Sequence, residues 1–218
     1  MRLLIVDDQP LVRQGLRAVF AGLDDIIVAG EAAHGAEALE LVRRTAPHVV
    51  LMDVNMPVMG GLEATRRICA AGRADPDRTL PKIVMLTMYD QDEHVFEALR
   101  AGASGFLIKD ASPQQLADAV REVVDDGAML SPSITRRLIR EFVRRPALPA
   151  PDGELSALTG RERDVFRLLV QGYGNAGIAE KLTLGESTVK SHVQSLYRKL
   201  GVQDRVQVVI YAYENGLI

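Results

Sequence analysis

Three aspartates, a threonine and a lysine stand where short apolar runs end, and together they could bind a divalent cation and a phosphoryl group. Leu3-Leu4-Ile5-Val6 runs into Asp7-Asp8, Val49-Val50-Leu51-Met52 into Asp53, Ile83-Val84-Met85-Leu86 into Thr87, and Phe106-Leu107-Ile108 into Lys109. Mg2+ takes about six oxygens, usually one or two carboxylates completed by waters and phosphate oxygens. Asp8 and Asp53 can supply direct ligands, Asp7 can hold a coordinated water, and the backbone carbonyl of Asn55 can add another oxygen. A carboxylate beside such a cation can attack phosphorus and become an acyl phosphate. Lys109 would neutralise the transferred group and Thr87 would donate a hydrogen bond to it. Acidic residues at strand ends also serve as N-caps for the next helix, and one Asp-Asp pair would fit that plainer role. Polar elements of one coherent set at the ends of four strands favour chemistry.

Such residues converge only if the strands are parallel neighbours. Short apolar runs separated by helical patterns read as buried parallel strands with crossover helices, whose carboxyl ends share one crevice. Strands are expected near 2–7, 26–30, 48–53, 82–87 and 104–109, the second (Ile26-Ile27-Val28) carrying no such polar residue. Helices are expected near 11–22, 35–45, 61–71, 91–101 and 112–125, with Gly72–Pro81 a polar loop. The fold class over 1–126 is therefore α/β, a doubly wound five-stranded parallel sheet of the flavodoxin-like kind.

Beyond Gly127 the pattern changes. Ser131-Pro132 resembles a helix start, and Ile134, Leu138, Ile139 and Phe142 mark a short amphipathic helix with Arg136, Arg137, Arg140 and Arg144 on its basic face. That face reads better as a solvated surface than as a nucleic-acid groove. Residues 146–153 are proline-rich, so 127–153 forms a linker. Residues 154–218 read as an all-α domain of four helices. Thr159 and Glu162 form a capping-box pair, Gly172-Tyr173-Gly174 ends the first helix, and a short helix carries Ile178, Ala179 and Leu182. A turn through Leu184-Gly185 leads to a longer helix with Val189, Val193, Leu196 and Leu200 inward, and a last helix spans about 203–215. Short helix, tight turn and longer helix make a helix-turn-helix.

Composition fits this division. The formal net charge of −3 hides an asymmetry, with 13 basic against 20 acidic residues in 1–126, 5 against 2 in 127–152, and 8 against 7 in 153–218. An acidic first half beside a less acidic second half is a weak pointer to nucleic acid. The single cysteine, Cys69, cannot form an internal disulfide and lies in an apolar-periodic helix, where it reads as a core residue. No run approaches the roughly 18 apolar residues of a membrane span and no signal peptide precedes the first strand, so a cytoplasmic protein without membrane contact is expected.

Asp7-Asp8, the stretch Asp53-x-Asn55-Met56-Pro57-x-Met59-x-Gly61, Thr87, and Gly102-Ala103-x-Gly105-Phe106-x-x-Lys109 resemble the receiver domain of two-component response regulators over about 1–125. The resemblance implies phosphorylation of Asp53, with Mg2+ or Mn2+ bound, by a sensor histidine kinase or a small phosphodonor. It also implies a switch in which Thr87 moves toward the phosphoryl group and Phe106 turns inward. Plain core packing would account for Phe106 equally well.

Leu158-Thr159-x-Arg161-Glu162-Arg163-Asp164-Val165, Ile178-Ala179, Thr188-Val189-Lys190-x-His192-Val193 and Lys199-Leu200-Gly201-Val202 resemble the LuxR-type helix-turn-helix. With the receiver this is similar to a NarL/FixJ-type regulator over nearly the whole chain. From the residues alone, the exposed face of the 186–200 helix offers Lys190, Ser191, Gln194, Tyr197 and Arg198 to duplex DNA. The resemblance points to Lys190, Ser191 and Gln194 for base edges and to Thr188, His192 and Arg198 for phosphates. The chain departs from the family at Gly174, Ala176-Gly177 and Gly185, which predicts a loose supporting helix with one phosphate contact fewer. Val206, Val208, Val209, Ile210, Tyr211 and Tyr213 exceed one buried stripe and suggest a homodimer on two half-sites.

The expectation is a transcription factor for promoter DNA, not an enzyme beyond its own phosphorylation and self-dephosphorylation. Two alternatives remain at this level. A haloacid-dehalogenase-like phosphatase would need a second Asp two residues past its nucleophile, where this chain has Asn55. A DNA-binding regulator indifferent to phosphate is the other, and the complete acceptor set argues against it.

Overall fold

The computed structural model describes residues 1–74, 80–87, 95–124, 129–130 and 155–217. The chain divides into two compact units, Met1–Ile139 and Arg140–Ile218. The linker expected over 127–153, with its short helix, lies outside the described residues except for 129–130, as do 75–79 of the expected polar loop and 91–94 of the helix expected over 91–101.

In the first unit strands and helices alternate: β1 (Arg2–Val6), α1 (Pro10–Ala21), β2 (Ile27–Ala32), α2 (Gly35–Thr45), β3 (Val49–Asp53), α3 (Gly61–Ala74), β4 (Lys82–Thr87), α4 (Val95–Ala101), β5 (Gly105–Ile108) and α5 (Pro113–Val124). All five strands pair in parallel in the order β2-β1-β3-β4-β5. A two-residue strand, β6 (Met129–Leu130), adds to the edge beside β5. The sequence does not announce β6, because two residues carry no period.

Side chains alternate across each strand, so the sheet has two buried faces. On one face Leu3, Ile5, Leu51, Val84 and Leu86 pack with Leu16 and Phe20 of α1 and Leu116 and Val120 of α5. On the other, Thr65 of α3 reaches Met85, and Leu41 of α2 lies beside Gly30 and Leu4. Every residue of β3 is buried, which suits the most apolar run to the middle of the sheet. The second strand departs from expectation. Instead of a buried 26–30 it runs Ile27–Ala32, with Ile27 63% exposed. As the edge strand it has one neighbour, and the register slips between Leu3 and Leu4, opposite Val28 and Gly30. Cys69 is buried in α3.

The second unit contains α6 (Gly160–Val170), α7 (Asn175–Leu182), α8 (Glu186–Leu200) and α9 (Arg205–Glu214). The Thr159–Glu162 capping box opens α6 as the sequence indicates. Gly172 (φ +89°) and Gly201 (φ +68°) take left-handed backbone after α6 and α8, conformations that glycine adopts without a Cβ clash. The core joins Val165, Phe166 and Leu169 of α6 to Ile178 of α7, Val189, Val193 and Leu196 of α8, and Val208 of α9.

Candidate functional site

The β2-β1-β3 order makes the boundary between β1 and β3 a topological switch point, the position where sheets of this kind bind ligands beyond the carboxyl ends of the strands. Asp7 sits at that end of β1, fully buried, with its N–H, Oδ1 and carbonyl hydrogen-bonded. Its N–H donates to Ala32 O (3.1 Å), its Oδ1 accepts from Gln9 N–H (2.9 Å), and its carbonyl accepts from Arg13 Nη1 (2.7 Å). Arg13 lies 3.8 Å from Glu31, which also binds Arg17 at 2.8 Å. Asp53 ends β3, 6% exposed and opposite Leu86 in register. Asp8 is half-buried, and carboxylate oxygens of Asp7, Asp8 and Asp53 all lie within 4.8 Å of one another.

Lys109, just past β5, brings its ammonium into the cluster with only 7% of its side chain exposed. It lies 2.9 Å from Asp53 Oδ1 and 2.6 Å from Asp7 Oδ2, the latter an ion-pair contact rather than an aligned hydrogen bond. Its backbone N–H donates to Thr87 O (2.7 Å), so the ends of β4 and β5 are tied together. Burial pushes the Asp53 carboxyl above its ordinary value, with Lys109 opposing and the Asp7 charge reinforcing. Burial works to lower Lys109, but its pairing with the Asp7 and Asp53 carboxylates outweighs it, and the ammonium is held above its ordinary value. Three carboxylates against one ammonium leave two formal negative charges in an all-oxygen donor set, which fits a hard divalent cation.

Thr87 ends β4 one residue beyond Asp53's register partner and is buried. Phe106 is fully buried within β5, so its ring already points inward here. Asn55 is exposed in the loop after β3. Gly61 lies against Asp53 itself: a Cβ there would stand 2.0 Å from Asp53 O and 2.9 Å from Met52 Cγ. Its N–H donates to Val54 O (3.0 Å), which closes the loop under Asp53.

In the second unit α8 presents Thr188, Lys190, Ser191, Gln194 and Arg198 exposed, with His192 half-buried. Tyr197 is a correction to the sequence reading. It is 4% exposed and packs in the core, because positions 189, 193, 196, 197 and 200 together make the broad apolar stripe that a globular helix buries. Ser191 Oγ donates to Ser187 O within the helix.

Gly174 and Gly185 cap α7 and α8 with no side-chain hydrogen bond, as their composition implies. The expected looseness of α7 is countered at both ends. Arg205 donates to Tyr173 O and to Asn175 Oδ1 (3.0 Å), and Arg161 Nη2 donates to Leu182 O (2.6 Å). These arginine anchors and Arg13 were not legible from local spacing, since each partner lies far away or on the backbone. Glu162 is the other such residue. Beyond its capping role its carboxylate accepts from Ser195 Oγ and Lys199 Nζ, both at 2.7 Å. The Lys199 hydrogen bond, with those of Thr159 and Ser195, holds it down at about 2 against the effect of burial.

The architecture of the first unit is that of a receiver domain, and the second is a helix-turn-helix of the kind that reads duplex DNA. Residues 3–121 match the family described as response regulator receiver domain, and residues 156–212 match bacterial regulatory proteins of the luxR family. The chain therefore belongs to the two-component response regulators with a LuxR-type DNA-binding domain, transcriptional regulators of the NarL/FixJ type. It is 40% identical to the transcriptional regulatory protein YxjL of Bacillus subtilis over 220 residues, covering 100% of this chain and 97% of that protein. It is 36% identical to the oxygen regulatory protein NreC of Staphylococcus carnosus over 221 residues, covering 100% and 99%. The crystal structure of ChrA, a response regulator of a heme-sensing two-component system, superposes with a TM-score of 0.53 at 34% identity, covering 100% and 98% of the two chains. Both matched families are regulatory, and neither is an enzyme family. Among the described residues no helix is long and apolar enough to cross a membrane.

Proposed function

We propose that Asp53 is the phosphoacceptor, that a sensor histidine kinase phosphorylates it, and that the phosphorylated chain binds promoter DNA as a homodimer in the cytoplasm. The receiver occupies 1–126, the linker 127–153 and the DNA-binding domain 154–218. One observation carries this reading: the Asp53 carboxylate ends the central strand within 4.8 Å of Asp7 and Asp8 oxygens and 2.9 Å from Lys109 Nζ.

Asp7, Asp8, Asp53 and the Asn55 carbonyl would hold Mg2+ or Mn2+. When bound, that cation supplies positive charge to the phosphoryl oxygens. An Asp53 carboxylate oxygen attacks phosphorus, an acyl P–O bond forms, and the P–N bond to the donor imidazole breaks with its electron pair left on nitrogen, which takes up a proton. Lys109 would move from the two carboxylates to the new dianion, and the buried Thr87 would donate its hydroxyl there, roles supported by the Lys109 contacts to Asp7 and Asp53. Hydrolysis of the acyl phosphate resets the site. Phosphorylation biases an equilibrium between states that contact the phosphoryl group differently.

On DNA, Lys190, Ser191 and Gln194 would reach base edges and Thr188, His192 and Arg198 phosphates, an assignment supported by the exposure on α8 of all but the half-buried His192. The partly covered Val209 and Tyr213 of α9 support self-association. The test is enrichment of fragments from a promoter pool before and after Mg2+ with a small phosphodonor, at fixed salt. Enrichment that appears only after treatment and vanishes in Asp53→Asn is expected. Undiminished stimulation in Asp53→Asn would refute the assignment, and equal enrichment in both states would favour a regulator indifferent to phosphate.

A further inference from the structure

Glu162 lies on α6, away from the exposed face of α8, yet its side chain is 5% exposed and grips two residues of that helix one turn apart. Oε1 accepts from Ser195 Oγ and Oε2 from Lys199 Nζ, each at 2.7 Å, while Oε2 also accepts from Thr159 N–H at 2.7 Å. The preceding residue, Arg161, donates to the last carbonyl of α7. Two consecutive residues of α6 thus tie down both helices of the helix-turn-helix. Ser195 and Lys199 flank the buried stripe of Val189, Val193 and Leu196, next to the exposed row of Lys190, Ser191, Gln194 and Arg198.

We propose that Glu162 is a positioning residue for sequence readout, fixing the rotation of α8 about its axis and withholding the Lys199 charge from DNA phosphates. This rests on the reading of α8 as the recognition helix. The apolar stripe alone tolerates small rotations, because dispersion contacts are non-directional. A carboxylate bridging a hydroxyl and an ammonium on one flank is directional and removes that freedom. It also gives Lys199 a fixed counter-charge. Without it, an ammonium one residue from Arg198 would be available to any phosphate and would strengthen binding to every sequence alike.

Glu162→Gln tests this in the full-length protein treated with Mg2+ and phosphodonor. Glutamine still completes a capping box, so α6 is retained. The probes are the fragment that the unsubstituted protein enriches most from a promoter pool and a scrambled duplex of equal length. The preference between them is expected to fall roughly tenfold, the loss associated with one misplaced base contact. Binding to the scrambled duplex is expected to tighten, and its log–log salt dependence to steepen by about 0.9, one phosphate contact. Adding Lys199→Gln should restore the slope but not the preference. A merely structural role would weaken both duplexes together. If Glu162→Gln loses helical circular dichroism, Ser195→Ala with Lys199→Gln leaves the cap intact and should show the same loss of preference. Full preference in a folded variant of either kind overturns the proposal. A wild-type protein that distinguishes no fragment overturns the assignment of α8 and this role with it.

Discussion

Gly61→Ala places a methyl group where the backbone of Asp53, the proposed phosphoacceptor, already is. Its Cβ would stand 2.0 Å from Asp53 O, 3.0 Å from Asp53 C and 2.9 Å from Met52 Cγ. An ordinary contact is about 3.5 Å, so a shift of more than 1 Å is demanded between the start of α3 and the end of β3. Neither side yields easily, because β3 is buried along its whole length and is hydrogen-bonded on both sides. Overpacking of this kind costs about 1–3 kcal/mol. Alanine in a helix offsets up to about 1 kcal/mol of that, less at a first turn. The net loss should be about 2 kcal/mol, lowering the receiver's thermal midpoint by roughly 8 °C. Displacing a reacting carboxylate by about 1 Å costs on the order of 100-fold in rate. The assay is the initial rate of phosphorylation by a small phosphodonor with Mg2+, read on a phosphate-affinity gel, beside thermal unfolding. Gly15→Ala is the control: nothing lies within 4 Å of its would-be Cβ in α1, so it should gain stability at an unchanged rate. A Gly61→Ala protein with wild-type midpoint and rate would refute the claim that this glycine makes room for Asp53.

Lys109→Gln removes the only ammonium within reach of Asp7 and Asp53 among the described contacts, leaving two buried carboxylates to repel each other. Breaking a buried pair typically costs about 3–5 kcal/mol. Thermal unfolding with and without Mn2+ should show a lower midpoint and a larger rescue by Mn2+ than in the unsubstituted protein; equal rescue would count against the site. Glu162 gives a pH dependence in the second unit. Its carboxyl is lowered to about 2 in the fold, so its stabilisation is complete above its ordinary value near 4.5 and is lost as pH falls toward about 2. With Lys199 one-third exposed, screening reduces the full shift to about 2 kcal/mol. Circular dichroism between pH 5 and pH 2 should show a shallower loss in Glu162→Gln; parallel curves would contradict the pairing.

The strands were legible where burial is complete. Leu3–Val6, Val49–Met52, Ile83–Leu86 and Phe106–Ile108 are apolar without a break because each lies inside the sheet with a strand on either edge, β5 being flanked by the two-residue β6, and their terminal polar residues stood out by contrast. The edge strand β2 was displaced in the reading because half of it faces outward and its register slips, so no pattern marks its end. The clustering of Asp7, Asp8, Asp53 and Lys109 was readable because each stands at or just past the end of a strand. The residues that support it were not. Arg13 binds a main-chain carbonyl, which leaves no trace in the sequence, and Gly61 reveals its neighbour only in three dimensions. In the second unit, the Thr159–Glu162 cap spans three residues and was visible, while the same carboxylate's hold on Ser195 and Lys199 spans 33 and 37. Tyr197 was misplaced because a tyrosine beside arginine reads as surface, although helical pitch carries it inward with Val193 and Leu196.

The grip of Arg161 and Glu162 on the two helices also sets a rule for chimaeras. A helix grafted in place of α8 would have to bring a hydroxyl and an ammonium four residues apart near its C-terminal end, or leave the buried Glu162 carboxylate of α6 unmatched. Exchanging only the exposed positions 190, 191 and 194 leaves that socket intact. On the proposed reading of α8, operator preference is then open to redesign by surface substitution, with the helix's mounting inherited unchanged.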